Sequence, residues 1–329
     1  MRAPTFWWQP TASVAATLLR PVGAIYGGLT AHRMARPGWR APVPVICIGN
    51  LVAGGAGKTP TAIAIARLLI DMGHRPAFLS RGYGRRNPKR DPFVVDPDHH
   101  AAEDCGDEPL LLARVAPTIV AADRPAAARL AIEAGADVLV LDDGLQNPAL
   151  LKDVSIAVVD GGSGIGNGLC LPAGPLRAPI MRQWRFVSML CVIGGGQPGE
   201  AVAGEAERAG IPVTTGRLDP DMETAAMVRH RRLLAFAGIG RPEKFFATLD
   251  ALGLTVADRL SFPDHHVYGR GDLARLTQAA EQIDATLITT EKDRVRLPPR
   301  FETMTLPVRL AFDDTAAIQA RLAEAFSRG

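Results

Sequence analysis

Short apolar runs separated by longer amphipathic stretches organise the first two thirds of the chain. The runs at 45–48 (Val-Ile-Cys-Ile), 77–79, 118–120, 138–141 (Val-Leu-Val-Leu), 156–159 and 186–193 are of strand length and almost wholly apolar. Such runs fit strands covered on both faces, as in a parallel sheet between helices. Between them, 61–72 and 124–134 have helical length and spacing. The alternation predicts an α/β domain with a doubly wound, mostly parallel sheet. A shorter series, with an apolar run at 233–236, a helical pattern at 242–252 and a second run at 286–289, predicts a smaller α/β domain. The polar stretch at 214–222, with Gly216 and Pro220, reads as a linker. The expected organisation is an N-terminal segment 1–40, a nucleotide-binding domain 41–213, a linker 214–230 and a smaller domain 231–329 that closes a cleft.

The first strand runs into Gly49-Asn50-Leu51-Val52-Ala53-Gly54-Gly55-Ala56-Gly57-Lys58-Thr59-Pro60, and a helical pattern follows. Glycines let backbone N–H groups converge on phosphate oxygens at a helix N-terminus. Lys58 would neutralise the β and γ phosphates, and Thr59 would set a hydroxyl on Mg²⁺. The usual first glycine of a P-loop falls on Val52, so Gly54, Gly55, Ala56 and Gly57 form a displaced loop whose bland alternative is a glycine-rich turn. The run 138–141 ends in Asp142-Asp143-Gly144, which places carboxylates at the carboxyl edge of a sheet where a Mg²⁺-nucleotide site needs them. Together the two features predict a nucleotide triphosphatase or kinase.

Two further stretches carry candidate chemistry. Gly106-Asp107-Glu108-Pro109 sets paired acids before a helical run, with Asp107 as either proton acceptor or helix cap. Phe262-Pro263-Asp264-His265-His266-Val267-Tyr268 lies in the later domain, where the His pair either lies on a surface loop or, if the two domains close over a cleft, brings His265 to Asp107 to tune its pKa. Ser80-Arg81-Gly82-Tyr83-Gly84-Arg85-Arg86, with Lys89 and Arg90 beyond, is a solvated loop or a clamp for anions. Aromatic residues make up only 5% of the chain, too few for a nucleic-acid stacking surface.

Charge changes the picture at one end. The net charge is +3, yet residues 1–70 hold no acid and seven basic residues, leaving −4 for the remainder. Trp7, Trp8, Leu18, Leu19, Ile25 and Tyr26 are interleaved there with Arg20, His32, Arg33, Arg36 and Arg40. Such a segment suits a membrane interface, where each basic residue near an anionic surface contributes about 1 kcal/mol. A helix packed on the domain is the alternative, and Pro21 predicts a broken helix. Arg20 and Pro21 divide the most apolar stretch, so no spanning helix and no export signal are expected. Cys47, Cys105, Cys170 and Cys191 form no CxxC pair, which argues against disulfides and a zinc site and for a reducing compartment.

The whole set resembles the tetraacyldisaccharide 4'-kinase family of lipid A biosynthesis. The resemblance rests on 54–60 (Gly-Gly-Ala-Gly-Lys-Thr-Pro), 80–85 (Ser-Arg-Gly-Tyr-Gly-Arg), 106–109 (Gly-Asp-Glu-Pro), 142–146 (Asp-Asp-Gly-Leu-Gln), 171–177 (Leu-Pro-Ala-Gly-Pro-Leu-Arg), Asp264-His265 and 289–293 (Thr-Thr-Glu-Lys-Asp), in the family's order. It implies two α/β/α domains, ATP and Mg²⁺ as cofactors, and transfer of the γ-phosphate to the 4'-hydroxyl of tetraacyldisaccharide 1-phosphate to give lipid IVA. It further implies Asp107 as base with His265, Lys58 and Thr59 on phosphate and Mg²⁺, and Asp142 and Asp143 near the metal. By the same resemblance Gln146 joins the nucleotide site, while Arg81, Arg85, Glu108 and Arg177 meet substrate. The expected state is a monomer, peripheral on the cytoplasmic face of the inner membrane. Many relatives carry an acid where this chain has Ala178, so no role for that acid carries over. Two rival readings share the phosphate loop: an NTPase driving metal or cofactor insertion, which lacks its metal-ligand clusters here, and a nucleotide-switched membrane scaffold, which leaves Asp107 and His265 without a purpose.

Overall fold

The computed structural model describes residues 4–9, 11, 13–87 and 92–327. Arg2, Lys89 and Arg90 of the basic stretches lie outside them. After a 3-10 turn at Thr5–Trp8 come α1 (Val14–Met34), β1 (Val45–Asn50), α2 (Lys58–Asp71), β2 (Pro76–Ser80), β3 (Phe93–Val94), α3 (Ala102–Cys105), α4 (Asp107–Ala113) and β4 (Thr118–Val120). The chain continues through α5 (Arg124–Glu133), β5 (Val138–Asp142), β6 (Val154–Asp160), α6 (Ile180–Gln183), β7 (Met189–Ile193), α7 (Gln197–Arg208) and β8 (Val213–Pro220). It ends with α8 (Met222–Val228), β9 (Leu233–Ala237), α9 (Pro242–Ala251), β10 (Val256–Ser261), α10 (Arg270–Gln282), β11 (Thr286–Thr290), α11 (Glu291–Arg294), β12 (Met304–Leu306), β13 (Val308–Phe312) and α12 (Thr315–Phe326).

Nine strands form the larger sheet in the order β13-β8-β7-β6-β1-β5-β2-β4-β3, parallel except at its two edges. Every residue of β1, β2, β5, β6 and β7 is buried, the burial that a run without polar alternation requires. Successive residues feed opposite faces: Cys47, Leu79, Leu139 and Leu141 enter one core, Ile46, Ile48, Phe78 and Val140 the other. The smaller sheet, β10-β9-β11-β12, is wholly parallel and has its own two cores, with Leu233 and Ala235 on one side and Leu234 and Phe236 on the other.

Four expectations need correction. The stretch 214–230 is not a linker but strand and helix: β8 lies between β7 and β13 in the large sheet, and α8 follows. Its polar character reflects half-burial, and Gly216 is required because a Cβ there would lie 2.7 Å from the Ala311 carbonyl oxygen. Residues 308–326 do not stay with the smaller sheet, since β13 pairs with β8 and α12 packs Ile318 and Leu322 into the core holding Ile46 and Ile65. Phe186 ends a 3-10 turn at Trp184–Phe186, and β7 begins only at Met189. Finally, α1 runs unbroken through Pro21. Its small-residue face, Gly23 and Gly27, grips the loop at 170–179, where a Cβ would lie 2.7 Å from the Cys170 carbonyl oxygen and 2.6 Å from Cys170 Sγ. Pro21 points the other way, so its ring and the lost hydrogen bond face outward.

Candidate active site

The β1–α2 connection wraps around backbone acceptors. Asn50 donates from Nδ2 to the Gly54 carbonyl at 2.8 Å, which folds the loop back on its strand. Gly57 holds φ at 87°, and a Cβ there would strike Ile193 Cδ1 at 2.6 Å, so this position tolerates only glycine. Lys58 and Thr59 follow as the first residues of α2, both buried at the floor of the cleft. The cleft between the two sheets has a volume of 1590 Å³ and is lined by the loop at 53–60 and by Arg81, Glu108, Asp142, Asp143, Asp160 and His265 among others.

The loop is braced from beneath by side chains far away in sequence. Arg177 meets Asp143 in a bidentate ion pair at 2.7 and 3.0 Å and donates from Nε to the Val52 carbonyl at 3.1 Å. Gln146 donates to the Asn50 carbonyl at 2.7 Å and to Gln183 Oε1 at 2.9 Å, and Gln183 donates to the carbonyls of Leu51 and Ala178. Arg177 and Gln146 thus border the cleft, and their hydrogen bonds tie Asp143, Gln183 and each other to the carbonyls of Asn50 and Val52 at the start of the phosphate loop. Gln183, wholly buried, was not identified from the sequence, where it is one polar residue in an ordinary short helix.

The two carboxylates at the end of β5 differ sharply. Asp143, with φ at 54°, has Lys58 Nζ at 3.9 Å as well as Arg177. Burial alone would raise its pKa, but those cations outweigh it and hold it at about 2. Asp142 is buried, and its Oδ1 has no hydrogen-bond partner among the described residues. Burial first, then the charge of Glu108, push its pKa up to about 7, against the pull of Lys58. An orphaned carboxylate oxygen in a cleft that buried Thr59 also lines fits a hard divalent cation that takes most of its ligands from water and phosphate. Arg124, also missed from the sequence, donates to the Asp142 carbonyl at 3.3 Å and lines the same wall.

The opposite wall joins α4 to the smaller domain. Asp107 opens α4 after Gly106, whose φ of 97° lets the chain pass where a Cβ would lie 2.8 Å from the Tyr83 carbonyl oxygen. The Oδ2 of Asp107 is 2.9 Å from His265 Nδ1 and 3.4 Å from Arg296 Nε, while Oδ1 accepts the Glu108 amide. Burial would raise the Asp107 pKa, but the His265 hydrogen bond and the charges of Lys292, His265 and Arg296 hold it at about 2. The same hydrogen bond raises the His265 pKa. Glu108 meets Lys292 at 2.6 Å. Buried Asp293 accepts from the Gly238 amide and Tyr268 hydroxyl, and Arg296 donates to the carbonyls of Gly238 and His266, so these groups fix the loop that presents His265. The 289–293 motif hinted at Lys292 and Asp293, and Tyr268 lies in the candidate stretch 262–268; nothing local hinted at Arg296.

Of the basic stretch, Arg81 is exposed and lines the cleft with Tyr83, whose ring centroid is 5.4 Å from that of His265. Arg85 is buried and does not line the cleft, contrary to its expected role with substrate. The turn through left-handed Gly82 and Gly84 sends the two arginines to opposite sides.

Comparison with known proteins agrees with this geometry. The sequence profile of the Tetraacyldisaccharide-1-P 4'-kinase family matches residues 15–327. The chain is 57% identical over 330 residues to a "Tetraacyldisaccharide 4'-kinase" of Methylorubrum extorquens, covering all of both chains. It is 49% identical to that of a Rhodopseudomonas palustris strain, over 97% of this chain and 94% of the relative. Among solved structures, LpxK of Aquifex aeolicus in complex with ATP superposes with a TM-score of 0.73 at 25% identity, over 94% of this chain and 99% of that one. With its phosphate loop, twin aspartates and His265 lining one cleft and buried Asp107 hydrogen-bonded behind His265, the chain belongs to the tetraacyldisaccharide-1-P 4'-kinase family, the ATP-dependent kinases of lipid A synthesis.

Proposed function

We propose that the reaction runs in the cleft with Asp107 as the base for the 4'-hydroxyl of tetraacyldisaccharide 1-phosphate. The observation that carries this reading is the buried Asp107–His265 contact at 2.9 Å, which joins the two domains just behind the cleft that His265, Glu108 and Lys58 line. The hydroxyl gives its proton to Asp107, its oxygen attacks the γ-phosphorus of ATP, and the bond to the β–γ bridging oxygen breaks to release ADP. His265 orients the carboxylate, and Arg296 and Lys292 keep it ionised. Lys58 and the loop amides hold the transferring phosphate, where charge grows. Mg²⁺, when bound, offsets charge on the β and γ phosphates; Thr59 and Asp142 are the residues to hold it, with Asp143 in support. Arg81 and Tyr83 stand at the acceptor side of the cleft.

We also infer how the enzyme meets a lipid. Val14, Leu18, Val22, Ile25 and Leu29 form an exposed stripe along α1, opposite the face that grips the protein, and Arg33 and Arg36 extend it. An apolar face turned outward with basic residues at its end suits the anionic, cytoplasmic surface of the inner membrane. Among the described residues no helix is long and apolar enough to cross a membrane. Purified protein with ATP, Mg²⁺ and tetraacyldisaccharide 1-phosphate in detergent should yield the 4'-phosphorylated lipid; ADP release that is indifferent to the lipid would overturn the reading.

A further inference from the structure

On the other side of β1 from the twin aspartates, the end of β6 presents Asp160 to two cations of the smaller domain. Arg241 Nη1 reaches Asp160 Oδ1 at 2.9 Å, and Lys244 Nζ contacts Oδ2. Oδ1 also accepts the amide and hydroxyl of Ser163 at 3.1 and 3.2 Å. One carboxylate therefore answers two cations, which leaves a surplus positive charge on the wall of the cleft. All three side chains line that cleft. The turn before α9 abuts the phosphate loop: a Cβ on Gly240 would lie 4.0 Å from the Gly55 amide nitrogen. Lys244 sits one helical turn beyond it.

The two cations are not held alike. Arg241 is fixed from both sides, by Asp160 and by the ring of Trp8, whose centroid is 5.0 Å from the guanidinium carbon. Its side chain is 25% exposed, against 53% for Lys244, for which Asp160 is the one ion-pair partner among the described residues. If Lys244 leaves, Arg241 still neutralises Asp160, so no buried charge is stranded. A buried carboxylate normally resists losing its cation because the orphaned charge is poorly solvated. The second cation removes that penalty.

We propose that Lys244 is a phosphate-binding residue supplied by the smaller domain, paired with Asp160 at rest and turned onto the polyphosphate of ATP when the nucleotide enters. On the β5 side of the phosphate loop Lys58 and Arg177 already share Asp143, so much of their charge is answered within the protein. A polyanion in the loop then draws the least committed cation, and Lys244 stands in the first turn of α9, just after the Gly240 turn that abuts the loop. The inference rests on the ATP-dependent reading of the site. With Lys244 turned inward, the phosphates are gripped by residues of both domains.

The test compares dissociation constants of MgATP, ADP and AMP for the full chain. Lys244→Ala should weaken MgATP by about five- to tenfold, ADP less and AMP by under twofold, and Lys244→Arg should restore most of the loss. Asp160→Asn should tighten MgATP while lowering the melting temperature, because a competitor for Lys244 is gone and a cross-domain tie is lost. An MgATP affinity of Lys244→Ala within twofold of wild type, an equal loss for AMP and ATP, or a weaker MgATP complex in Asp160→Asn would overturn the proposal. The Lys244 variants decide the matter if Asp160→Asn does not fold, since Lys244 is half exposed. Failure of wild-type protein to bind MgATP would instead refute the nucleotide site itself.

Discussion

Replacing Asp107 by Asn removes one negative charge at the point where the two domains meet, with almost no change in shape. Oδ1 can still accept the Glu108 amide, but His265, Arg296 and Lys292 lose their shared counter-charge. The Asp107 pKa falls from the ordinary 3.8 to about 2 in the folded protein. That difference corresponds to about 2 kcal/mol of stability at neutral pH. The sign follows from the direction: a depressed carboxyl pKa stabilises above 3.8, and the contribution fades as pH falls towards 2, with about half gone near pH 3. For a chain of 329 residues, 2 kcal/mol lowers the melting temperature by about 3 °C. Loss of a positioned base should cut turnover by about a hundred- to ten-thousand-fold. The assay is phosphate transfer to tetraacyldisaccharide 1-phosphate in detergent, paired with thermal melts at pH 3 and pH 7. Turnover above a tenth of wild type would refute Asp107 as the base. A melting difference as large at pH 3 as at pH 7 would refute the ion-pair account.

Other outcomes follow from neighbouring contacts. Turnover at saturating substrates should rise with pH through the His265 pKa, which Asp107 lifts above the ordinary 6.5, because a carboxylate paired with imidazolium is a poorer base than one paired with neutral imidazole. The stabilising effect of His265 runs the opposite way, fully present below 6.5 and lost as pH climbs through the raised value; a His265→Gln enzyme that keeps the same acid limb would remove His265 from that role. Lys58→Ala should lower turnover by about a hundredfold or more, and near-normal rates with ATP would dissociate Lys58 from the phosphate. Gln183→Leu leaves the Leu51 and Ala178 carbonyls and the Gln146 amide without their partner, which costs about 3 kcal/mol or more and should show in melts; an unchanged melting temperature would discard the brace. Leu18→Glu with Leu29→Glu, or neutral replacements of Arg20, Arg33 and Arg36, should weaken binding to anionic vesicles with the fold intact, and undiminished binding would return α1 to a purely structural part.

The rival readings weaken on particular observations. The insertion NTPase gives way to the match with the tetraacyldisaccharide-1-P 4'-kinase family across residues 15–327. A nucleotide-switched scaffold has no use for a buried Asp107–His265 contact in the nucleotide cleft.

Much of the site was legible from local pattern. Strands buried on both faces leave uninterrupted apolar runs, and a phosphate loop must join such a strand to a helix, so β1, the glycines, Lys58 and Thr59 stand together in the sequence. Asp142 and Asp143 close a strand for the same reason. Where local pattern misled, a tertiary contact outweighed it. Pro21 sits inside a helix because the opposite face grips the 170–179 loop, and 214–220 is a strand because β13 returns from the end of the chain to pair with it. Arg81 and Arg85, indistinguishable by composition, are parted by one left-handed turn.

What the sequence by itself determined is the identity of the chemistry: a strand–loop–helix for phosphate, acids at a sheet edge, a basic, apolar front end. The Asp107–His265 pairing is expected from the motifs, but only the fold brings the two to 2.9 Å across 158 positions of chain. The fold alone set Gln183 beneath the loop, Arg296 behind Asp107 and Lys244 against Asp160 in the cleft wall. The physical reason is range. Backbone periodicity and turn chemistry are written over a few residues, whereas the pKa of a carboxyl or the partner of a cation depends on whatever the chain brings within a few ångströms, and sequence separation carries no record of that distance.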